Sequence, residues 1–198
     1  MIKGAGGIFS LFIHRGFYPL NNRSFSHTAG ILSKTQQFLI TRTINAPAAD
    51  VYDVVSDISE YKKFMKYCNE SFVDKRDPET GKPSEAGLRV GFQHYDETFV
   101  CQIRCLEERD NNYTVVANSL THSLFKALQT KWSIKPHQMR PGVTEAILCL
   151  EFQFKNGLYN NVASIFGKSV TELVMKSFER RIFTLRRQNL KGKPADAP

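Results

Sequence analysis

The sequence predicts an α+β fold: a curved antiparallel sheet of about seven strands around one long C-terminal helix, in the order β-α-α-β6-α. Three observations predict it. Between Ser71 and Lys155, apolar and polar residues alternate with period two in a series of separate runs; strands with one face on a core and one in water read this way. From Leu158 to Leu185 the apolar spacing changes to three and four, the spacing of an amphipathic helix. The links between the alternating runs are short and built of turn residues, which favours antiparallel neighbours.

The elements follow in order. Phe38-Leu39-Ile40-Thr41-Arg42-Thr43-Ile44 is rich in β-formers and reads as the first strand. Asn45-Ala46-Pro47 ends it, and Pro47 suits the first turn of a helix, where its missing N–H costs nothing. Val51, Val54, Val55 and Ile58 then recur at helical spacing. Asp57 and Ser59 break this helix and can cap a second short one, with Tyr61, Phe64, Met65 and Cys68 on one side. Ser71 and Val73 alternate with Phe72 and Asp74, and Asp77 to Pro83 is a loop of turn residues. Leu88, Val90, Phe92 and His94 share one face of the next strand; Phe99, Cys101, Ile103 and Cys105 share a face of the one after. Asp110-Asn111-Asn112 turns the chain into Tyr113, Val115 and Ala117. Leu128, Thr130, Trp132 and Ile134 form one more face, and Ala146, Leu148, Leu150, Phe152 and Phe154 the last. The final stripe runs Leu158, Val162, Ile165, Phe166, Val170, Leu173, Val174, Phe178, Ile182, Leu185. At 1.5 Å per residue it is roughly 40 Å long, matching the full span of a curved sheet. Lys168, Lys176, Arg180, Arg181, Arg186 and Arg187 fall on its solvent side.

A length of 198 residues gives one domain plus tails, long enough to bury a sizeable core. The net charge of +8 is unevenly spread: residues 1–36 carry +4, residues 168–193 carry +6, and the remainder is near neutral at −2. A nucleic-acid binder places its excess on the folded surface, with a recognisable motif; the neutral body argues against that class. Cys68, Cys101, Cys105 and Cys149 show no metal-ligand spacing, and they read as buried, reduced thiols. No run approaches the roughly 20 apolar residues needed to cross a bilayer, so any membrane contact is expected to be peripheral.

The start of the chain reads as an address. Its first acidic residue is Asp50, and before it lie scattered Arg and Lys, several Ser, and Phe9, Leu11, Phe12, Phe17 and Phe25. Mitochondrial import segments share this acid-poor, Arg- and Ser-containing character. A secretory signal fits less well, because His14 and Arg15 interrupt the apolar stretch; a plain basic tail is the other alternative. Residues 1–35 are therefore expected to be a targeting segment cleaved near Arg23-Ser24-Phe25-Ser26, with residues 36–190 as the folded domain and 191–198 as a tail.

The element order resembles that of the START-like, or helix-grip, superfamily, over about residues 37–190. Within it, Val55-Ser56-Asp57-Ile58-Ser59-Glu60-Tyr61-Lys62-Lys63-Phe64-Met65-Lys66-Tyr67-Cys68 resembles the signature of the coenzyme Q-binding branch, V-x-D-[VI]-x-x-Y-x-x-F-[LM]-x-x-C. Leu88-Arg89-Val90-Gly91-Phe92 resembles its L-x-V-G-F, Trp132 its strand aromatic, and Phe178-Glu179-Arg180-Arg181 its terminal F-E-x-R. Lys66-Tyr67 departs from the branch, which commonly places Pro and an aromatic there.

The resemblance implies an apolar cavity between sheet and last helix that binds ubiquinone or a late intermediate. No resident cofactor, metal or catalytic residue is implied; the quinone is a bound ligand. Candidate lining residues are Tyr61, Phe64 and Met65 in the second helix, with Leu88, Val90, Phe92 and Phe99 in the early strands. Trp132, Leu148, Leu150 and Phe152 continue the lining in the late strands, and Val162, Phe166 and Val170 on the helix. Leu124 and Phe125, in the link around Leu120–Leu128, are candidates either to dip into a membrane or to pack under the sheet; Lys176, Arg180 and Arg181 either meet anionic lipid or form a solvated, salt-bridged face. The expected setting is the matrix side of the mitochondrial inner membrane, with coenzyme Q biosynthetic or respiratory complexes as further partners. Two other classes stay open. A cyclase-type enzyme would use His94 with Asp96 or Glu97; a ribosome-associated module, as in toxin-like relatives, would show salt-sensitive binding.

Overall fold

Period two in the sequence becomes alternating burial in the sheet. The computed structural model describes residues 34–192 apart from Gln93, His94 and His122. Its strands are β1 (Gln36–Ile44), β2 (Cys68–Arg76), β3 (Pro83–Phe92), β4 (Tyr95–Glu107), β5 (Tyr113–Ser119), β6 (Phe125–Pro136) and β7 (Thr144–Phe154). They form one sheet in the order β1-β7-β6-β5-β4-β3-β2, with all neighbours antiparallel. Along β7 every second residue, from Thr144 to Phe154, is buried. Short links join the hairpins; at one, the left-handed Asp110 and Asn111 turn β4 into β5.

β1 and β2 are consecutive strands on opposite edges of the sheet, so the chain between them must cross it. Helix α1 (Ala48–Ser56) begins this crossing. Pro47 sits at its N-cap, and Val51, Tyr52 and Val55 are buried. The Tyr52 ring stacks on Tyr113 of β5 at 4.5 Å, closing one end of the curved sheet. The second expected helix is a 3₁₀ turn, Ile58–Lys63, and Cys68 belongs to β2 rather than to a helical face. Buried Ser71 holds this segment down. Its hydroxyl donates to Ser59 O at 2.7 Å and accepts from the Lys62 N–H at 3.1 Å. Leaving such partners unpaired inside a protein costs about 1–3 kcal/mol.

Two strand limits differ from the sequence reading. Pro83, expected to close a loop, opens β3, where a strand's first residue needs no N–H for the ladder. Phe125, expected in an exposed link, opens β6 opposite Phe154.

After a 3₁₀ turn at Gly157–Tyr159, helix α2 (Asn160–Gly192) runs along the concave face of the sheet. Its 33 residues make a rod of about 50 Å. Phe166, Met175, Phe178 and Ile182 are buried on its inner side. Leu158 and Ile165 belonged to the expected stripe but are exposed. Leu158 precedes the helix, so the helical phase does not apply to it, and Ile165 faces an open groove beside β1. At Gly167 helix and strand meet closely: a Cβ there would lie 2.2 Å from the Phe38 ring. Arg42 of β1 spans the same seam, its guanidinium reaching the two Glu172 carboxylate oxygens at 3.0 and 3.1 Å.

Candidate functional site

The core is divided into two packed clusters. One joins Val51, Tyr52 and Val55 of α1 to Trp132, Ile134 and Phe178. The other gathers Phe125, Phe152, Phe154 and Phe166, all with rings 5.1 to 6.0 Å apart. Between them, sheet and α2 enclose a cavity of about 520 Å3. Protein interiors are close-packed, with few voids larger than a water molecule. The volume lies within the range of ligand sites.

The walls come from every inner strand. Leu88 and Val90 lie on β3; Phe99, Cys101 and Ile103 on β4; Val115 and Ala117 on β5. Leu128, Thr130 and Trp132 come from β6, and Leu148 and Leu150 from β7. Helix α2 supplies Phe166, Val170, Leu173, Val174 and Phe178. The 3₁₀ segment adds Tyr61, the link after it Met65, Lys66 and Tyr67, and the start of β2 Cys68. Lys66 both lines the space and is exposed, so the wall reaches solvent there. Beside it Tyr67 adopts φ +68°, a left-handed conformation that a non-glycine residue holds at a cost of about 1–3 kcal/mol. The Tyr67 carbonyl accepts from the Gly91 N–H at 3.0 Å, which ties this strained residue to the end of β3. The strain falls at the Lys66-Tyr67 pair that departs from the family pattern.

Of the candidate lining residues, Tyr61, Met65, Leu88, Val90, Phe99, Trp132, Leu148, Leu150, Phe166 and Val170 border the cavity. Phe64 and Phe152 do not. Phe64 packs edge-on between Tyr61 and Phe178 at 5.6 and 5.1 Å, and Phe152 is fully buried beneath Phe38. The side chains of Phe92 and Val162 lie outside the described residues. Ile103, Val115, Ala117, Leu128, Thr130 and Val174 were not singled out in the sequence. Ile103 shares the alternating face of Phe99, and Leu128 and Thr130 that of Trp132, whereas Val115 and Ala117 lie on β5, which holds none of the candidates.

The candidate membrane residues divide. Phe125 is buried at 3% exposure in the second cluster, which corrects its assignment to a surface. Its place opposite Phe154 in the ladder turns the ring inward. Leu124 is half-buried, and Lys176 and Arg180 are exposed. Arg181 is largely covered: it bonds Glu60 at 3.1 Å and lies over the Phe64 ring at 5.7 Å. It latches α2 to the 3₁₀ segment instead of facing solvent; the hydrogen bond from Lys63, with the nearby Arg181 charge, holds the Glu60 carboxyl below the usual range.

The chemistry of the lining is that of a solvent for apolar matter. The Tyr61 hydroxyl donates to Val55 O, and burial pushes its pKa up. Burial likewise raises the Cys68 and Cys101 thiols, and that of Cys105 to about 11. A thiol kept protonated is a poor nucleophile. Ser119 and Thr171 donate to the Thr121 and Gly167 carbonyls. Among the described lining residues there is no Asp, Glu or His. His94, the candidate base, lies outside the described residues. Its imagined partners are engaged elsewhere. Asp96 is held below the usual carboxylate range by its hydrogen bonds to Arg89, and Glu97 accepts from the Ser123 N–H and hydroxyl. No group of three metal-ligating side chains occurs among the described residues, and no helix among them is long and apolar enough to cross a membrane.

Comparison with known proteins agrees with this geometry. Residues 44–179 match the family described as polyketide cyclase/dehydrase and lipid transport. A protein of Eremothecium gossypii named mitochondrial coenzyme Q-binding protein COQ10 is 48% identical over 88% of this chain and 86% of its own length. One of the same name from Saccharomyces cerevisiae is 46% identical over 86% of this chain and 82% of its own. Among solved structures, a START superfamily protein from Mycobacterium smegmatis superposes with a TM-score of 0.67 at 20% identity, covering 75% of this chain and 98% of that one. The Zhui aromatase/cyclase from a Streptomyces species gives 0.64 at 13% identity, covering 83% and 100%. Likeness at such low identity speaks for the fold, whereas the two relatives share close to half their residues with this chain. The chain belongs to the polyketide cyclase/dehydrase and lipid transport family and, within it, to the mitochondrial coenzyme Q-binding proteins.

Proposed function

We propose that this chain binds ubiquinone, or a late intermediate of its synthesis, in the cavity between sheet and α2. It acts there as a lipid chaperone that supports respiratory electron transport and efficient quinone synthesis. It does no chemistry of its own and needs no resident cofactor. The observation that carries the reading is the enclosed cavity of about 520 Å3 with its nearly unbroken apolar lining. Apolar burial is worth about 0.8 kcal/mol per CH2, so a few isoprene units give ample affinity. Relatives named as mitochondrial quinone-binding proteins support the choice of ligand and compartment. The absence of carboxylate and imidazole among the described lining residues supports binding over catalysis. Protein isolated from mitochondrial membranes should carry ubiquinone in its lipid extract, read by mass spectrometry. Recovery of phospholipid with no quinone would overturn the proposal.

The same reading places the chain at the matrix face of the inner membrane, in reach of quinone-synthesising and respiratory complexes. Peripheral contact is supported by exposed Leu120 and Leu158 with Lys126 and Lys155 at one end of the sheet. The bond from Lys155 N–H to Leu124 O, at 3.0 Å, draws this end together. Exposed Lys176 and Arg180 add positive charge along α2. Each well-placed base is worth about 1 kcal/mol near an anionic surface. Co-sedimentation with anionic vesicles at low salt should exceed that with neutral ones and fall as salt rises. Failure to bind either vesicle would sink the membrane assignment.

A further inference from the structure

One strand hydroxyl in the cavity wall has no hydrogen-bond partner among the described residues. Thr130 lies mid-sheet on β6, on the same face as buried Trp132 and Ile134, and its register partners are Ala117 of β5 and Leu150 of β7. All four of these neighbours are apolar. Among the described residues nothing hydrogen-bonds the Thr130 hydroxyl, although Tyr61, Cys68, Ser119 and Thr171, its polar companions in the lining, each donate to a carbonyl. Thr130 is half-buried, so its hydroxyl opens onto the cavity and is free to bond whatever fills it. In a strand the residue's own carbonyl is committed to the ladder. Ser169 of α2 also lines the cavity without a bonded hydroxyl, but a helical serine can turn onto the carbonyl one turn back. Thr130 has no such outlet.

We propose that Thr130 is the polar anchor of the ligand head: its Oγ1–H donates to one carbonyl oxygen of the benzoquinone ring, which lies against the sheet between Ala117 and Leu150. The inference rests on the ubiquinone reading and deepens it by assigning the head a place. Everything else at that point of the wall is apolar, so this one bond fixes the ring's depth while the isoprenoid tail takes the remaining space. A hydroxyl both donates and accepts. The same residue therefore serves the oxidised ring, by donating to its carbonyl, and the reduced ring, by accepting from its hydroxyl. A hydroxyl therefore suits a carrier meeting both redox forms, whereas a carbonyl, which only accepts, fits the reduced ring alone.

The test compares the full chain with Thr130→Val, which keeps the side-chain shape, and with Ser169→Ala. Each is equilibrated with vesicles containing decyl-ubiquinone, its quinol, or squalene, a polyisoprenoid with no ring oxygen, and bound ligand is quantified by mass spectrometry. Thr130→Val should bind both quinone forms about five- to tenfold more weakly, the worth of one hydrogen bond, and squalene within about twofold of wild type. Its melting temperature should stay close to that of wild type, because no hydrogen bond within the protein is lost and the side-chain shape is kept. Unchanged quinone binding overturns the assignment. So does an equal loss of squalene, which would mark a reshaped cavity, or a loss seen in Ser169→Ala and not in Thr130→Val, which would put the head on the helix. Wild-type protein that takes up squalene but neither quinone form would instead reject the ubiquinone reading itself.

Discussion

Phe178→Ala is expected to lower folding stability by about 3–5 kcal/mol. Phe178 is 1% exposed, and three rings meet it: Trp132 of β6 at 4.9 Å, and Tyr61 at 5.0 Å and Phe64 at 5.1 Å from the 3₁₀ segment and its C-cap. It is the point at which α2, the sheet and the 3₁₀ segment touch one another. Removing the ring takes away the burial of an aromatic side chain and its edge-to-face contacts, each worth about 0.5–1.5 kcal/mol beyond area. The space left joins a cavity that already exists, so neighbours have no tight shell to collapse from. For a domain of this size each kcal/mol moves the midpoint by about 2–4 °C, so the melt followed by circular dichroism should fall by about 6–20 °C. A shift below about 3 °C would mean that Phe64 or Trp132 refills the site. Phe178→Leu keeps most of the volume and should cost far less.

Ala117→Phe should separate binding from folding. Ala117 sits mid-floor, opposite Ile103 on β4 and Thr130 on β6, and it is small where the cavity is wide. A phenyl group there enters empty space rather than packed neighbours, so overpacking strain is small and new dispersion contacts form. Stability should stay within about 1 kcal/mol of wild type, while quinone recovered per mole of protein falls more than tenfold, an effect of over about 1.4 kcal/mol on binding. Wild-type quinone content in a folded Ala117→Phe protein would show that the ligand does not use this cavity.

The element order was legible in the sequence because it follows from local rules. Ala146, Leu148, Leu150, Phe152 and Phe154 face the core because side chains alternate along any strand. Phe166, Phe178 and Ile182 of α2 are buried, and Val170, Leu173 and Val174 half-buried on the same side, because 3.6 residues per turn lines them up. Where the local signal was weak, the reading erred. Phe125 resembled an exposed link residue, since a strand's first residue has no preceding alternation to reveal its side. The short helix expected after Asp57 is there as a six-residue 3₁₀ helix, held by the bonds of Tyr61 to Val55 O and Ser71 to Ser59 O; it stops at Lys63, so Cys68 passes to β2.

Of the candidate lining, Tyr61, Leu88, Trp132 and Val170 were found because large apolar residues on an inward face are conspicuous. Ala117 and Thr130 were passed over for the opposite reason. A cavity is widest where side chains are small, and in a sequence small or mildly polar residues carry no mark of facing one. Likewise nothing local told Arg181 apart from Arg180. Its partner Glu60 is 121 residues away, and only the closure of α2 onto the 3₁₀ segment brings the two charges together.

The sequence by itself determined the strands, the order of the elements and the inward face of most of them, because dihedral periodicity and turn chemistry act between near neighbours. Its motif block from Val55 to Cys68 also pointed to the family. Only the tertiary structure decided that the two halves of the core stay apart, with about 520 Å3 between them, and that Thr130 faces this space without a partner. Those outcomes depend on the distance between a curved sheet and a helix, which long-range packing sets and no run of neighbouring residues encodes.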